Sequence, residues 1–141
     1  MSTLIKIAVV LIISLVSFSS KAQESYNLII EVEEANSNDG KMFVAVYNEE
    51  AKFLRKSYKG TKSKIVNNSC SVTFEDLPKG TYAVSIYHDK NNNGKLDRNF
   101  LGIPKESYGC SNDAKGFMGP PKWNDAKFEL KTNKTITVIL N

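Results

Sequence analysis

The sequence predicts an all-β domain, an antiparallel two-sheet sandwich of about seven short strands with one long loop. Three observations lead there. Apolar residues recur with a period of two from about residue 28 to the end of the 141-residue chain. Turn-forming residues interrupt that alternation often, and no segment sustains the 3.6-residue period of a long helix.

The first residues stand apart. Lys6 precedes an apolar run from Ile7 to Val16, and Ser20-Lys21-Ala22 places small residues where a signal-peptide cut after Ala22 requires them. The run stops short of the roughly 20 apolar residues a membrane span needs. The expectation is therefore a signal peptide at 1–22, a domain at 23–141, and a periplasmic or secreted protein. The competing reading is an uncleaved N-terminal anchor. No cysteine near the cut invites lipid modification.

Charge excludes one class of partner. The formal charge of +4 falls to +2 when Lys6 and Lys21 leave with the leader. The remaining lysines are scattered, without the concentrated basic face that nucleic-acid binding uses. No transmembrane segment is expected after cleavage, and the domain is expected to be a monomer.

Each element then follows in order. Leu28, Ile30 and Val32 alternate with Asn27, Glu31 and Glu33, which predicts a half-buried strand. Asn38-Asp39-Gly40 is a turn. Met42 to Tyr47 is nearly continuously apolar and suits a central strand covered on both faces. Residues 49–56, with Ala51, Phe53 and Leu54 among charges, suit a helical turn. Residues 57–66 are lysine-rich, as edge strands often are. Cys70, Val72 and Phe74 share one face of the next strand. Leu77-Pro78-Lys79-Gly80 turns the chain into a strand lined by Tyr82, Val84 and Ile86. An irregular stretch from Asp89 to Lys122 precedes two last strands, carrying Ala126, Phe128 and Leu130, then Ile136, Val138 and Leu140.

The clearest chemical signal is the run Asp89-Lys90-Asn91-Asn92-Asn93-Gly94-Lys95-Leu96-Asp97. Side-chain oxygens at Asp89, Asn91, Asn93 and Asp97, glycine at the sixth position and the Lys95 carbonyl at the seventh match the front of an EF-hand calcium loop. Leu96 is expected to turn into the core. Phe100 stands where a full EF-hand has its bidentate glutamate, so two carboxylates face the cation and weak binding is expected. Asn99, Asn112 and Asp113 are candidates for further oxygens. The same run also reads as a plain Asn-Gly hairpin turn, and both readings stand at this point.

The long loop carries Tyr108, Phe117, Met118 and Trp123. These aromatics and Met118 form either a ligand or glycan surface or a satellite core under the loop. Cys70 and Cys110 are an even pair in an oxidising compartment: either a disulfide or two separate buried thiols. The single histidine, His88, precedes Asp89 at a strand end and is expected at the core edge. A catalytic role for His88 with Asp89 is the least supported reading, because no nucleophile or orienting group accompanies them. No enzyme is expected.

Several linked stretches resemble a known family. They are Phe74-Glu75-Asp76-Leu77-Pro78-Lys79-Gly80-Thr81-Tyr82-Ala83-Val84, Tyr87-His88-Asp89 with its Asn/Gly loop, Asn99 to Glu106, Tyr108-Gly109, and Gly119-Pro120-Pro121. Together they resemble the exported bacterial family DUF2141, a domain of unknown function. The resemblance implies a periplasmic or secreted single-domain protein and brings no activity or catalytic residue. The family pattern is more usually aromatic where Cys110 stands, so a disulfide here would be local to this chain. The Leu77-Pro78-Lys79-Gly80-Thr81-Tyr82 element also resembles the corner of transthyretin-like sandwiches. An immunoglobulin-like or transthyretin-like sandwich is the expected fold. The expected function is a non-catalytic extracytoplasmic binding or accessory module whose loop end holds calcium.

Overall fold

The structure, a computed structural model, describes residues 22–141. Residues 1–21, and with them nearly all of the proposed leader, lie outside the described residues. Among the described residues eight strands build two sheets: β1 (Ser25–Glu33), β2 (Lys41–Tyr47), β3 (Lys59–Ser63), β4 (Cys70–Pro78), β5 (Gly80–Asp89), β6 (Tyr108–Cys110), β7 (Phe128–Leu130) and β8 (Lys134–Ile139). One sheet runs β4-β1-β8. The other runs β3-β2-β5-β6, and β7 pairs with the first residues of β5.

The period of two does what it predicts. Leu28, Ile30 and Val32 of β1 are fully buried, and so are Met42, Val44 and Val46 of β2. They meet Phe74, Leu77, Val84, Ile86 and Val138 in one core between the sheets. Each fully buried aliphatic side chain of this kind contributes about 1.5–3 kcal/mol.

Leu77 and Pro78 end β4, and Gly80 begins β5 in the other sheet, so this turn is a corner between the sheets. The buried Tyr82 fixes the corner by donating its hydroxyl to the Pro78 carbonyl at 2.6 Å.

Four expectations need correction. The sandwich is not wholly antiparallel, because β1 and β8 pair in parallel. Parallel neighbours need a long crossover, and these two strands are joined by the whole of the rest of the domain. The stretch from Asp89 to Lys122 is not all irregular, since it contains β6 and a 3₁₀ turn at Ser111–Asp113. Trp123–Ala126 forms a helical turn, so Ala126 precedes β7 rather than belonging to it. Finally, β2 is not covered evenly on both faces: Phe43 and Ala45 are only half-buried. Among the described residues the outer face of the five-stranded sheet is covered at one end, where Tyr47 packs with Phe53, Ala83, Ala114 and Ala126.

The two edges of the sandwich differ. At the β6 edge the sheets touch: a Cβ at Gly109 would meet Val138 Cγ1 at 2.8 Å and the Ile139 carbonyl at 2.9 Å. At the other edge a cleft of about 540 Å³ separates β3 from β4.

Candidate functional site

Strand β5 delivers Asp89 to the sheet's end, and the chain then curls through positive φ at Asn92 (58°) and Gly94 (82°). The curl is held by oxygens pointing inward. Asp89 Oδ1 and Oδ2 accept the backbone N–H groups of Asn93 at 3.0 Å and Gly94 at 2.8 Å. Asn91 Oδ1 accepts from Asn93 N, and Asn93 Oδ1 from Lys95 N. Asp97 closes the ring, accepting the side-chain N–H groups of Asn91 at 2.6 Å and Asn93 at 2.7 Å. Asp89, Asn91, Asn93 and Asp97, singled out from spacing, are thus joined in one hydrogen-bonded loop, which Lys95 enters through its N–H.

Two carboxylates, Asp89 and Asp97, set the electrostatics of the loop. Asp89 is 1 % exposed, and among the described residues it forms no ion pair. A buried carboxylate is stabilised here only by backbone N–H groups. The Asn93 and Asn91 amides, with lesser help from Lys95 and Lys105, hold the Asp97 carboxyl below its ordinary pKa of 3.8.

One member of the cluster is not apparent from the spacing. Glu106 reaches back so that Oε1 accepts from Lys90 N at 3.1 Å and Oε2 from Asp97 N at 3.0 Å. It therefore ties the two ends of the loop together. The signal was a lone carboxylate, the only one between Asp97 and Asp113. The other proposed oxygen donors serve elsewhere. Asn99 closes its own turn by accepting from Leu101 N and Ile103 N. Asn112 donates to the Asp125 and Lys127 carbonyls, and Asp113 lies in the 3₁₀ turn with it. Leu96 is half-buried and belongs to neither apolar cluster, so it does not anchor the loop in the core.

Fit to a hard cation follows from the donors. Among the described residues no three His, Cys, Asp or Glu side chains gather as a metal cluster. Calcium would therefore draw on amide and carbonyl oxygens beside the Asp89 and Asp97 carboxylates, which is within its preference for six to eight oxygens. Asn91 and Asn93 now offer nitrogen, not oxygen, to Asp97. Their N–H groups occupy the role a cation would take, and a half-turn of each amide would bring its oxygen to that place while giving up the bonds from Asn93 N and Lys95 N.

His88 sits on the inner face, 2 % exposed, with Nε2 2.7 Å from the Asp39 carbonyl. That is the core-edge position expected of it. The disulfide is a correction: both cysteines are free. Cys70 lies on β4 against the main core, whereas Cys110 lies on β6 of the other sheet, in the second apolar cluster. Spacing in sequence says nothing about how close two Cβ atoms come. Burial pushes the Cys110 thiol up to about 12 and raises that of Cys70, so neither is a ready thiolate.

The aromatic residues of the long loop divide. Tyr108 stands beside Tyr87 on β6, Trp123 packs edge-on to Phe53 at 5.7 Å, and Phe117 and Met118 are 92 % and 95 % exposed. Two of the four join the sheet's outer face or its satellite cluster, and two project into solvent. Among the described residues no helix is long and apolar enough to cross a membrane.

Comparison with known proteins places the chain without assigning it a task. A family model described as "Uncharacterized protein conserved in bacteria (DUF2141)" matches residues 30–138. No curated protein and no solved structure matches the chain.

Proposed function

Because the chain belongs to DUF2141, whose description names no activity, we propose its function from the site itself: a non-catalytic extracytoplasmic binding module whose Asp89–Asp97 loop takes up calcium. The observation that carries this reading is the Asp89 carboxylate, 1 % exposed and without a cationic partner among the described residues, held by the Asn93 and Gly94 N–H groups at the start of a loop whose other carboxylate is Asp97. Export, drawn from the N-terminal sequence, supplies a compartment where calcium is abundant enough for a weak site. Two loop carboxylates set the expected affinity at about 10⁻⁴–10⁻³ M, the range of extracellular modules. The ion would organise the loop rather than perform chemistry, since the thiols are held protonated and His88 is committed to the Asp39 carbonyl.

Isothermal titration with calcium chloride tests the reading directly. One site with a dissociation constant between about 0.1 and 1 mM is expected, abolished by Asp97→Asn. Absence of binding at 10-fold higher calcium overturns it.

A further inference from the structure

We propose that a notch on the outer face of the five-stranded sheet binds a small organic anion with a flat apolar body. The notch is written in the strand register. Along β2 the outward positions run Phe43, Ala45, Tyr47, large-small-large, and the two large residues stand about 13 Å apart along the strand. Across the middle row Ala45 has Gly60 on one side and Ser85 on the other. The result is a cavity of about 420 Å³ with an almost bare floor, within the roughly 300–1,000 Å³ span of small-molecule sites.

The walls specify the ligand. Phe43 and Tyr87 stack face to face with centroids 4.7 Å apart, and Lys62 Nζ lies 4.6 Å from the Phe43 centroid. Both faces of Phe43 are thus taken, and its edge turns to the notch. Aromatic edges carry positive partial charge, and Lys62 adds a full one. Tyr47 and Ser85 share a hydroxyl pair at 3.1 Å at the far side. The lining carries one charge, Lys62, and no carboxylate. Apolar contact area with this polarity suits a planar ring bearing a carboxylate or sulfonate.

Gly60 supplies an independent argument. Its φ is not positive, and an added Cβ would meet only Ser57 Oγ and the Val44 carbonyl, each at an ordinary 3.6 Å. The backbone therefore accepts a side chain at 60. Glycine is also a poor strand former, so its presence in β3 weakens the edge. What it does is keep the notch open.

The inference rests on the binding-module reading but not on the calcium loop, so the titration is run in chelator. Nitrogen-15 NMR would follow 2-naphthoate added to the protein. Saturable shifts of the Ala45, Gly60 and Ser85 amides are expected. The neutral 2-naphthamide and Lys62→Gln should each bind about three- to fivefold more weakly, as loss of one exposed charge pair implies. Gly60→Val should weaken binding about tenfold or more by filling the floor, while its melting temperature stays level or rises. No shifts, shifts elsewhere, or a Gly60→Val protein that binds as well as the parent would overturn the proposal. The separate calcium titration reads the loop whichever way this result falls.

Discussion

The Tyr87 hydroxyl donates to the Gly94 carbonyl at 3.3 Å, so the outer face of the five-stranded sheet is fastened to the bend of the Asp89–Asp97 loop. Tyr87 stacks on Phe43 and neighbours Tyr108. Tyr87 thus belongs both to the loop's hydrogen bonds and to the aromatic row beside the notch. Tyr87→Phe removes this one partly exposed hydrogen bond and should cost about 0.5–1.5 kcal/mol. Backbone amide exchange at the loop checks it. Faster exchange at Asn93 to Lys95 is expected, and unchanged rates would show the link to be idle.

Glu106 makes a second fastening. Replacing it with alanine leaves the Lys90 and Asp97 N–H groups without their protein acceptor. Because the site is half-exposed and water can substitute in part, a loss of about 1–2 kcal/mol is expected in chemical denaturation. A loss below about 0.3 kcal/mol would show that Glu106 does not hold the loop ends.

The two amides on Asp97 give the loop a pH signature. A carboxyl whose folded pKa is depressed contributes stability that is present above its unfolded value. That contribution is lost as pH falls through the lower, folded value. The Asn91 and Asn93 side-chain N–H resonances should therefore titrate together with a midpoint below 3.8. A midpoint at or above that value contradicts the hydrogen bonds as described.

The thiols offer a chemical count. Denatured under non-reducing conditions, the protein should yield two reactive thiols, and reductant should leave its melting temperature unchanged. In the native state Cys110 should resist disulfide reagents at pH 8, because its pKa of about 12 leaves almost no thiolate. Finding no free thiol would contradict the separation of β4 and β6.

Gly40 is the backbone position on which the loop's entry depends. Its φ is +73°, and a Cβ there would come within 2.0 Å of the Asp89 carbonyl oxygen. Gly40→Ala should destabilise the fold by at least about 2 kcal/mol, since both strain and backbone displacement act together. A variant melting at the parent's temperature would mean that the turn is not packed on Asp89.

How much of this was legible follows from what each signal depends on. Burial alternation is local, so β1, β2, β5 and β8 could be read from residues such as Ile30, Val44, Ile86 and Val138. Turn chemistry made the reversal at Pro78 and Gly80 legible, whereas its character as a corner came from the resemblance to transthyretin-like sandwiches, because turn chemistry does not say which strand is paired next. Strand β6 escaped because it is three residues long and centred on Gly109, a residue chosen for contact with Val138 rather than for strand propensity. The parallel pairing of β1 with β8 is a matter of topology that no window of sequence contains. In the loop, Asp89, Asn91, Asn93 and Asp97 declared themselves by spacing. Glu106 did not, because it arrives from a separate segment, nine residues past Asp97. The notch was hidden for the same reason: Gly60, Ala45 and Ser85 come from three strands and meet only through register.

Uptake of calcium by the loop around Asp89 is read out by thermal melting in calcium compared with chelator. Binding to the native state alone stabilises by mass action. At 10 mM calcium and a dissociation constant of about 0.1–1 mM, the gain is about 1.4–2.7 kcal/mol, or roughly 4–10 °C for a domain of this size. That rise is expected in the parent protein, and its disappearance in Asp97→Asn. Identical melting temperatures in 10-fold excess calcium and in chelator would contradict it.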